Sequence, residues 1–389
     1  FDASVDMQRC ARIVTSLASS FPAFATACIE DEVAVLPGDG GGGKHHWVTT
    51  VLTTFKRFGM PGRDVAAGVP RATAEAVVDC TTSAVSQVFA NADLSKVDNR
   101  ARIALINGSL SLLDDESSKT ADVVEGVCDI LRFLATNDDA RDEIRGHTAF
   151  ATLFLIMGNR ENPQDSVVRK VCLVVEAVAR SGGTQLSGAG KSVLPALLFA
   201  LRSRSHISTA VRIAANALPG LCNTPELRKV FLERDGLAVT WAVLRRYLAA
   251  SNFDLVDRLC GVLAAASQSV SQAAPYRELL APIAEDVIKA VNAFTAREAA
   301  ADRSDASASV TLVDNACRAL FGFIAATSDR GAVTSPIASL PGVLEAAAAS
   351  LRTRSSAATF TRATTDLLVA LAKNGRGADV AKLHLFEPV

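Results

Sequence analysis

Along much of the chain a small residue is followed three positions later by an aliphatic residue and six positions later by an apolar one. The stretches starting at Ala11, Thr82, Cys128, Cys172, Ala215, Cys260, Cys317 and Thr365 share this pattern. Offsets of three and six keep the trio on one side of a helix, so each stretch is predicted to be a helix with one buried stripe. The aliphatic column reads Val14, Val85, Leu131, Val175, Leu218, Leu263, Leu320 and Leu368. The column after it reads Leu17, Val88, Leu134, Val178, Leu221, Ala266, Phe323 and Leu371. The small first column implies close backbone approach to a neighbouring helix.

The spacing of these anchors turns the pattern into an architecture. Successive separations are 71, 46, 44, 43, 45, 57 and 48 residues, and the four central ones fall within 43 to 46. A second apolar helix precedes several anchors, at 193–201, 237–248, 283–294 and 340–351, with Pro195, Pro282 and Pro341 near the starts, where a missing N–H costs little. Shorter amphipathic turns precede those, at 140–144, 225–232 and 276–280. A short helix, a middle helix and a long final helix every 45 or so residues describe a three-helix solenoid unit.

On these residues the chain resembles the armadillo-repeat family. The resemblance is carried by 137–146 (NDDARDEIRG) as a first helix and turn, 192–201 (SVLPALLFAL) as a middle helix, and 168–179 (VRKVCLVVEAVA) as a third. It implies an all-α, right-handed α-solenoid of about eight three-helix repeats. HEAT-like helix pairs are the alternative, and the short first helix argues against them. A single continuous array over 1–389 is expected. It would have irregular repeats over 1–93 around a Gly-rich loop at 37–46, regular ones over 94–271, and C-terminal ones over 272–389 with an insertion near 296–310. The chain opens inside a final-type helix and closes inside a first-type one (378–386), as expected of a piece of a longer array or one capped by other subunits. The Ala-, Ser- and Thr-rich stretch 346–365 is read as helix surface.

Composition narrows the function classes. With 40 Lys and Arg against 41 Asp and Glu, no global basic field exists to hold a polyphosphate, so nucleic acid is not expected as a partner. No apolar run approaches ~18 residues, so no membrane span is expected. The 49% apolar content excludes a disordered chain, and the 5% aromatic content favours thin helical layers over a thick aromatic core. Eight cysteines without CxxC, most inside apolar runs, read as small core residues in a reducing compartment. That places the protein inside the cell, in the cytoplasm or a cytoskeletal or ciliary assembly.

Candidate chemistry is sparse. Gly38–His45 has the G-x4-G-K spacing, but His45 replaces the Ser or Thr that would hold magnesium; Gly188–Ser192 ends correctly, but Gln185 stands in place of the first glycine. Neither has a credible strand before it, so both are read as turns between helices. The histidines (His45, His46, His147, His206, His384) form no zinc spacing. Asn107–Ser109 is a sequon inside a helical run. No catalytic, cofactor or metal site is expected, and the protein is read as a non-enzyme.

The family resemblance also locates a partner surface, because third helices line the concave face of armadillo arrays. The Trp and Asn ladders of the family's peptide-binding members are absent: the corresponding columns read Ser83, Asp129, Leu173, Asn216, Gly261, Arg318, Asp366 and Gln87, Phe133, Ala177, Gly220, Ala265, Gly322, Ala370. One turn earlier every position is charged: Asp79, Glu125, Arg169, Arg212, Asp257, Asp314 and Arg362. This column, with Asp129, Asn216 and Arg318, is the candidate binding set for a partner with complementary charge blocks; the competing reading pairs these charges between neighbouring repeats. A wide groove suits a helical segment better than an extended one. The expected function is a protein-interaction scaffold or adaptor, a subunit of a larger assembly. The alternative is a regulator, co-chaperone or exchange factor that binds a nucleotide-binding partner transiently.

Overall fold

The computed structural model describes residues 71–92, 97, 99–114, 120–158, 164–179, 190–300, 310–328, 335–352 and 360–383, with short segments within 8–16, 32–34, 44–46 and 51–55. The chain forms two compact units, Phe1–Thr184 and Gln185–Val389.

In the first unit the principal helices are α1 (Arg71–Asn91), α2 (Asn99–Asp114), α3 (Ala121–Leu134), α4 (Asp138–Gly146), α5 (Phe150–Met157) and α6 (Asp165–Ala179). Helices α1, α3 and α6 hold the anchors Thr82, Cys128 and Cys172, and pack in succession, α1 on α3 and α3 on α6. Behind them α2 packs on α5. The short α4 is the first helix of the repeat that α5 and α6 complete. It is capped by Asn137, whose side chain accepts from the Ala140 N–H at 3.0 Å, with Asp138 and Asp139 in its first turn, where the helix dipole favours acids.

The second unit holds α7 (Gly190–Ser203), α8 (Ser208–Cys222), α9 (Pro225–Glu233), α10 (Gly236–Ala249), α11 (Phe253–Ala266), α12 (Val270–Ala273) running into a 3-10 turn, α13 (Arg277–Ala300), α14 (Val310–Thr327), α15 (Val343–Arg352), α16 (Phe360–Leu371) and α17 (Gly377–Ala381). Here α8, α11, α14 and α16 form the third-helix ladder, and α7, α10, α13 and α15 form the middle one. Elements α9, α10 and α11 make a complete three-helix unit, which distinguishes the stack from helix pairs.

Both periodic columns are core. Val85, Leu131, Val175, Leu218, Leu263, Leu320 and Leu368 are buried, as are Val88, Leu134, Val178, Leu221, Ala266, Phe323 and Leu371. Each large aliphatic among them contributes roughly 1.5–3 kcal/mol of burial. The small anchors Cys128, Cys172, Cys260 and Cys317 are buried too, where the stacked helices come close; burial pushes the thiols of Cys128 and Cys260 well above the usual range. Gly322 marks another close approach of α14 to the end of α11: a Cβ there would lie 2.7 Å from the Ser267 Cβ and 3.0 Å from its carbonyl oxygen.

An arginine clip closes two third helices. Arg141 on α4 donates to the Ala135 carbonyl at 3.1 Å, just past the end of α3. Arg228 on α9 donates to the Cys222 carbonyl at 2.8 Å and to the Gln268 side chain at 3.3 Å. Each arginine lies six residues after the carbonyl it caps, and the cation meets the negative end of the helix dipole.

Several sequence expectations need correction. Pro195 and Pro282 lie five residues inside α7 and α13, which start earlier than the apolar runs because polar residues fill their first turns. Of the stretch 276–280, residues 277–280 are the start of α13, and the first helix of that repeat is the preceding Val270–Tyr276 segment. Ala346, Ala347 and Ala348 are buried, so that part of 346–365 is core, not surface. The 296–310 insertion is partly an extension of α13 to Ala300; 301–309 lie outside the described residues, as do Gly188 and His384.

A strand precedes the first glycine-rich segment after all. Strand β1 (Glu32–Ala34) pairs antiparallel with β2 (Lys44–His46). Lys44 therefore sits in a strand, where a phosphate-binding loop would need the start of a helix. The intervening 35–43 lie outside the described residues.

Candidate protein-interaction groove

The third-helix face of the first unit carries a groove of about 810 Å³. It runs over α1, α3 and α6 and is lined by Ser86, Phe89, Asp129, Phe133, Leu173 and Glu176, among others. These positions lie one, four, five or seven residues past an anchor, so helical periodicity alone brings them onto one face. Its apolar lane is built from Phe89 and Phe133, whose rings meet edge-on at 5.0 Å, with Leu173 and Ala177 beside them. Leu173 is 40% exposed. At the same register Ser83, Asp129, Asn216, Gly261, Arg318 and Asp366 are polar, charged or glycine.

Helices α1, α3 and α6 together carry seven carboxylates against four cations, and the charged residues lining the groove are Asp129, Glu176 and Arg132. Burial, then the charges of Asp79, Glu125 and Glu75, push the Asp122 carboxyl above its usual range. Lys170 on α6 bridges back to α3, 2.7 Å from Asp129 and 3.6 Å from Glu125, and Asp129 also accepts from Ser86 on α1. Asp129 thus ties all three helices together.

Of the charged column, the structure engages the acids most. Glu125 and Asp129 pair with Lys170 as above. Asp257 accepts from Asn315 at 2.8 Å and from Thr311, both on the next third helix. Burial nevertheless leaves the Asp257 carboxyl above its usual range, against the lowering effect of Thr311, Asn315 and Arg258. Asn216 accepts from Arg258 across α8 and α11 at 2.6 Å, and Asp314 pairs with Arg318 along α14 at 2.8 Å. Arg212 is half-buried, while Asp79, Arg169 and Arg362 are exposed. Pairing between neighbouring repeats therefore describes Glu125, Asp129, Asn216 and Asp257. In the second unit the four third helices balance, with four acids and four bases.

Leu173 and Phe133 fall in the columns that match the family's Trp and Asn ladders, and the sequence signal for the groove is one leucine in a column of polar, charged and glycine residues. Among the described residues no group of three or more His, Cys, Asp or Glu is placed to hold a metal ion. No helix among them is long and apolar enough to cross a membrane.

No protein-family model matches the chain, and no curated protein sequence matches it. Solved structures do. One, from work on a phosphorylation switch controlling the interaction between cadherin and beta-catenin, superposes with a TM-score of 0.61 at 13% identity, over 97% of this chain. This chain spans 61% of the length of that one. The crystal structure of an engineered protein gives a TM-score of 0.48 at 16% identity, covering 100% of this chain and 92% of its own. The first likeness, to an armadillo-repeat protein, speaks to the fold: an all-α solenoid built from armadillo-like helical repeats.

Proposed function

We propose that this protein is a non-catalytic interaction scaffold whose first unit binds a helical segment of a partner protein along the α1–α3–α6 face. The observation that carries the reading is Leu173, an exposed leucine that extends the Phe89–Phe133 lane of the groove, in a column whose other members are polar, charged or glycine. Apolar side chains from the partner fill the lane between Phe133 and Leu173. Basic residues flanking them meet the carboxylates of Asp79, Asp122, Glu125 and Glu176, which steers association and sets orientation. The armadillo-like fold supports the reading.

Binding of a synthetic amphipathic helix tests it, with leucine and alanine on one stripe and lysine elsewhere. Leu173 retains about two-fifths of its surface, so covering it is worth about 1 kcal/mol, or roughly fivefold in affinity. Leu173→Lys also adds a like charge, so a loss of ~30-fold is expected. Leu155 on α5 is 39% exposed and serves as a control of matched exposure on a middle helix. Leu155→Lys should leave affinity unchanged. Equal losses from both substitutions, or no binding by the wild-type protein, would refute the proposal.

A further inference from the structure

A second recessed surface lies in the other unit, on its middle helices. A cleft of about 520 Å³ runs between α7 and α10, lined by Arg202, Ser205, Asp235, Ala238, Val239, Ala242, Val243 and Arg246. Its floor is Val239 and Val243, which are buried, and Ala238 and Ala242 stand above them one helical turn apart. The α10 side chains between Asp235 and Arg246 that line the cleft are alanine and valine, so a helix ridge can settle between the two middle helices at close range.

The charged side chains lining the cleft are Arg202, Arg246 and Asp235, and helices α7 and α10 themselves carry no carboxylate. The one acid lining the cleft, Asp235, is 3.9 Å from Arg202. Arg246 is oriented by a hydrogen bond to the Ser205 hydroxyl at 3.1 Å. Arg245 lies over the Trp241 ring at 5.6 Å, and the Trp241 indole N–H donates to Asp286 at 2.8 Å. Arg245 is also 3.6 Å from Asp286 on α13, so it is engaged with the next middle helix. Arg246 is the α10 arginine held at the cleft, which lowers the ordering cost of using it.

We infer that the α7–α10 cleft is a second docking surface, for an acidic amphipathic helix of a partner protein. It stands on observations separate from the α1–α3–α6 groove and has the opposite charge. The first unit then presents a groove and the second a cleft, each suited to a helical segment of opposite charge. A nucleic acid fits the rim less well. The floor is aliphatic and offers no aromatic platform on which bases could stack.

The test uses a roughly 18-residue helical peptide, about five turns, with leucine and alanine on one stripe and glutamate elsewhere. Its lysine counterpart, and single-stranded DNA of similar length, are compared with it. Anisotropy of the labelled peptide gives affinity, and Trp241 emission in a Trp47→Phe background reports occupancy beside the cleft. The glutamate peptide should bind the full chain more tightly than DNA, with an affinity that falls as salt is raised. Ala242→Glu fills the cleft and repels the peptide, while its own carboxylate can pair with Arg246 at i+4 and so keep α10 helical. It should weaken the glutamate peptide by about tenfold or more. It should leave the lysine peptide at the Leu173 groove unaffected. Leu173→Lys should do the reverse, so the failure of either site is visible without the other. If the glutamate peptide does not bind, binds Ala242→Glu equally well, or is matched by DNA with the same Ala242→Glu sensitivity, the inference is wrong.

Discussion

Removing the Arg228 clip isolates one device of the fold and yields a sharp prediction. Arg228 is 7% exposed, and its guanidinium spans the Cys222 carbonyl and the Gln268 side chain, so one residue joins the ends of α8 and α11. Arg228→Ala loses a charge-assisted hydrogen bond at the negative end of a helix and leaves the Cys222 carbonyl without that donor. It also deletes a buried aliphatic stem. Hydrogen bonds involving a charge are worth about 1.5–3 kcal/mol, and with the lost packing the cost is about 3 kcal/mol. Arg228→Lys keeps the charge but not the fork, and costs about half as much. The exposed Arg234 nearby, mutated to alanine, should stay within ~0.5 kcal/mol of wild type. Urea unfolding gives the stability change, and amide hydrogen exchange should show the lost protection concentrated in α8, α9 and α11. If Arg228→Ala and Arg234→Ala prove equally mild, the clip does not hold these repeats together.

Three further outcomes follow from the packing. Gly322→Ala forces α14 away from Ser267 and should cost about 1–3 kcal/mol by urea melt, whereas alanine at Gly220, with open space around its Cβ position, should cost nothing comparable. Burial raises the Asp286 carboxyl, but hydrogen bonds from Lys289 and Trp241 and the charges of Lys289 and Arg245 outweigh it and hold the group below its usual range. Its folded value is depressed, so its stabilising contribution is present at neutral pH and lost as pH falls below the ordinary carboxylate range. Asp286→Asn should flatten that acid limb in a pH series of melts, and an unchanged slope would count against the network. Under native conditions a thiol reagent should modify half-buried Cys80 well before Cys128, Cys172, Cys222, Cys260 and Cys317, with burial pushing the Cys222 thiol up to about 12; rapid labelling of Cys128 would contradict the packing.

Much of this architecture could be read from the chain because the third helices are buried on the same side in every repeat. Burial on one stripe forces a repeating choice of residue, and Val85, Leu131, Val175, Leu218, Leu263, Leu320 and Leu368 record it. First helices are harder to locate, since a four-residue helix and a 3-10 turn at Val270–Tyr276 bury too little to impose a period. Helix starts such as Gly190 and Arg277 were placed late because polar first turns carry no apolar signal. Pro195 also looked like a first-turn residue when it is five residues in. The groove was half legible: periodicity put Leu173 and Phe133 on the right face, but only packing revealed a recess there. The charge column was legible as sequence and misleading as a sum. Its signs suggest a partner with complementary charge blocks, whereas α1, α3 and α6 together carry an excess of acids and four of the named residues bridge adjacent helices. The α7–α10 cleft left no trace in the periodicity, because its alanines read as ordinary helix formers.

In the proposed site, position rather than exposed hydrophobicity selects the α1–α3–α6 face. Leu173 and Leu155 have nearly the same exposure, 40% and 39%, on a third and a middle helix of the same unit. A photoreactive residue placed at one or the other, in the full chain within its native cell, compares the two faces directly. The account predicts that position 173 cross-links reproducibly to one basic amphipathic segment of a partner protein, and that position 155 does not. Equal cross-linking from both positions, or a 173 adduct with no recurring partner segment, would contradict it.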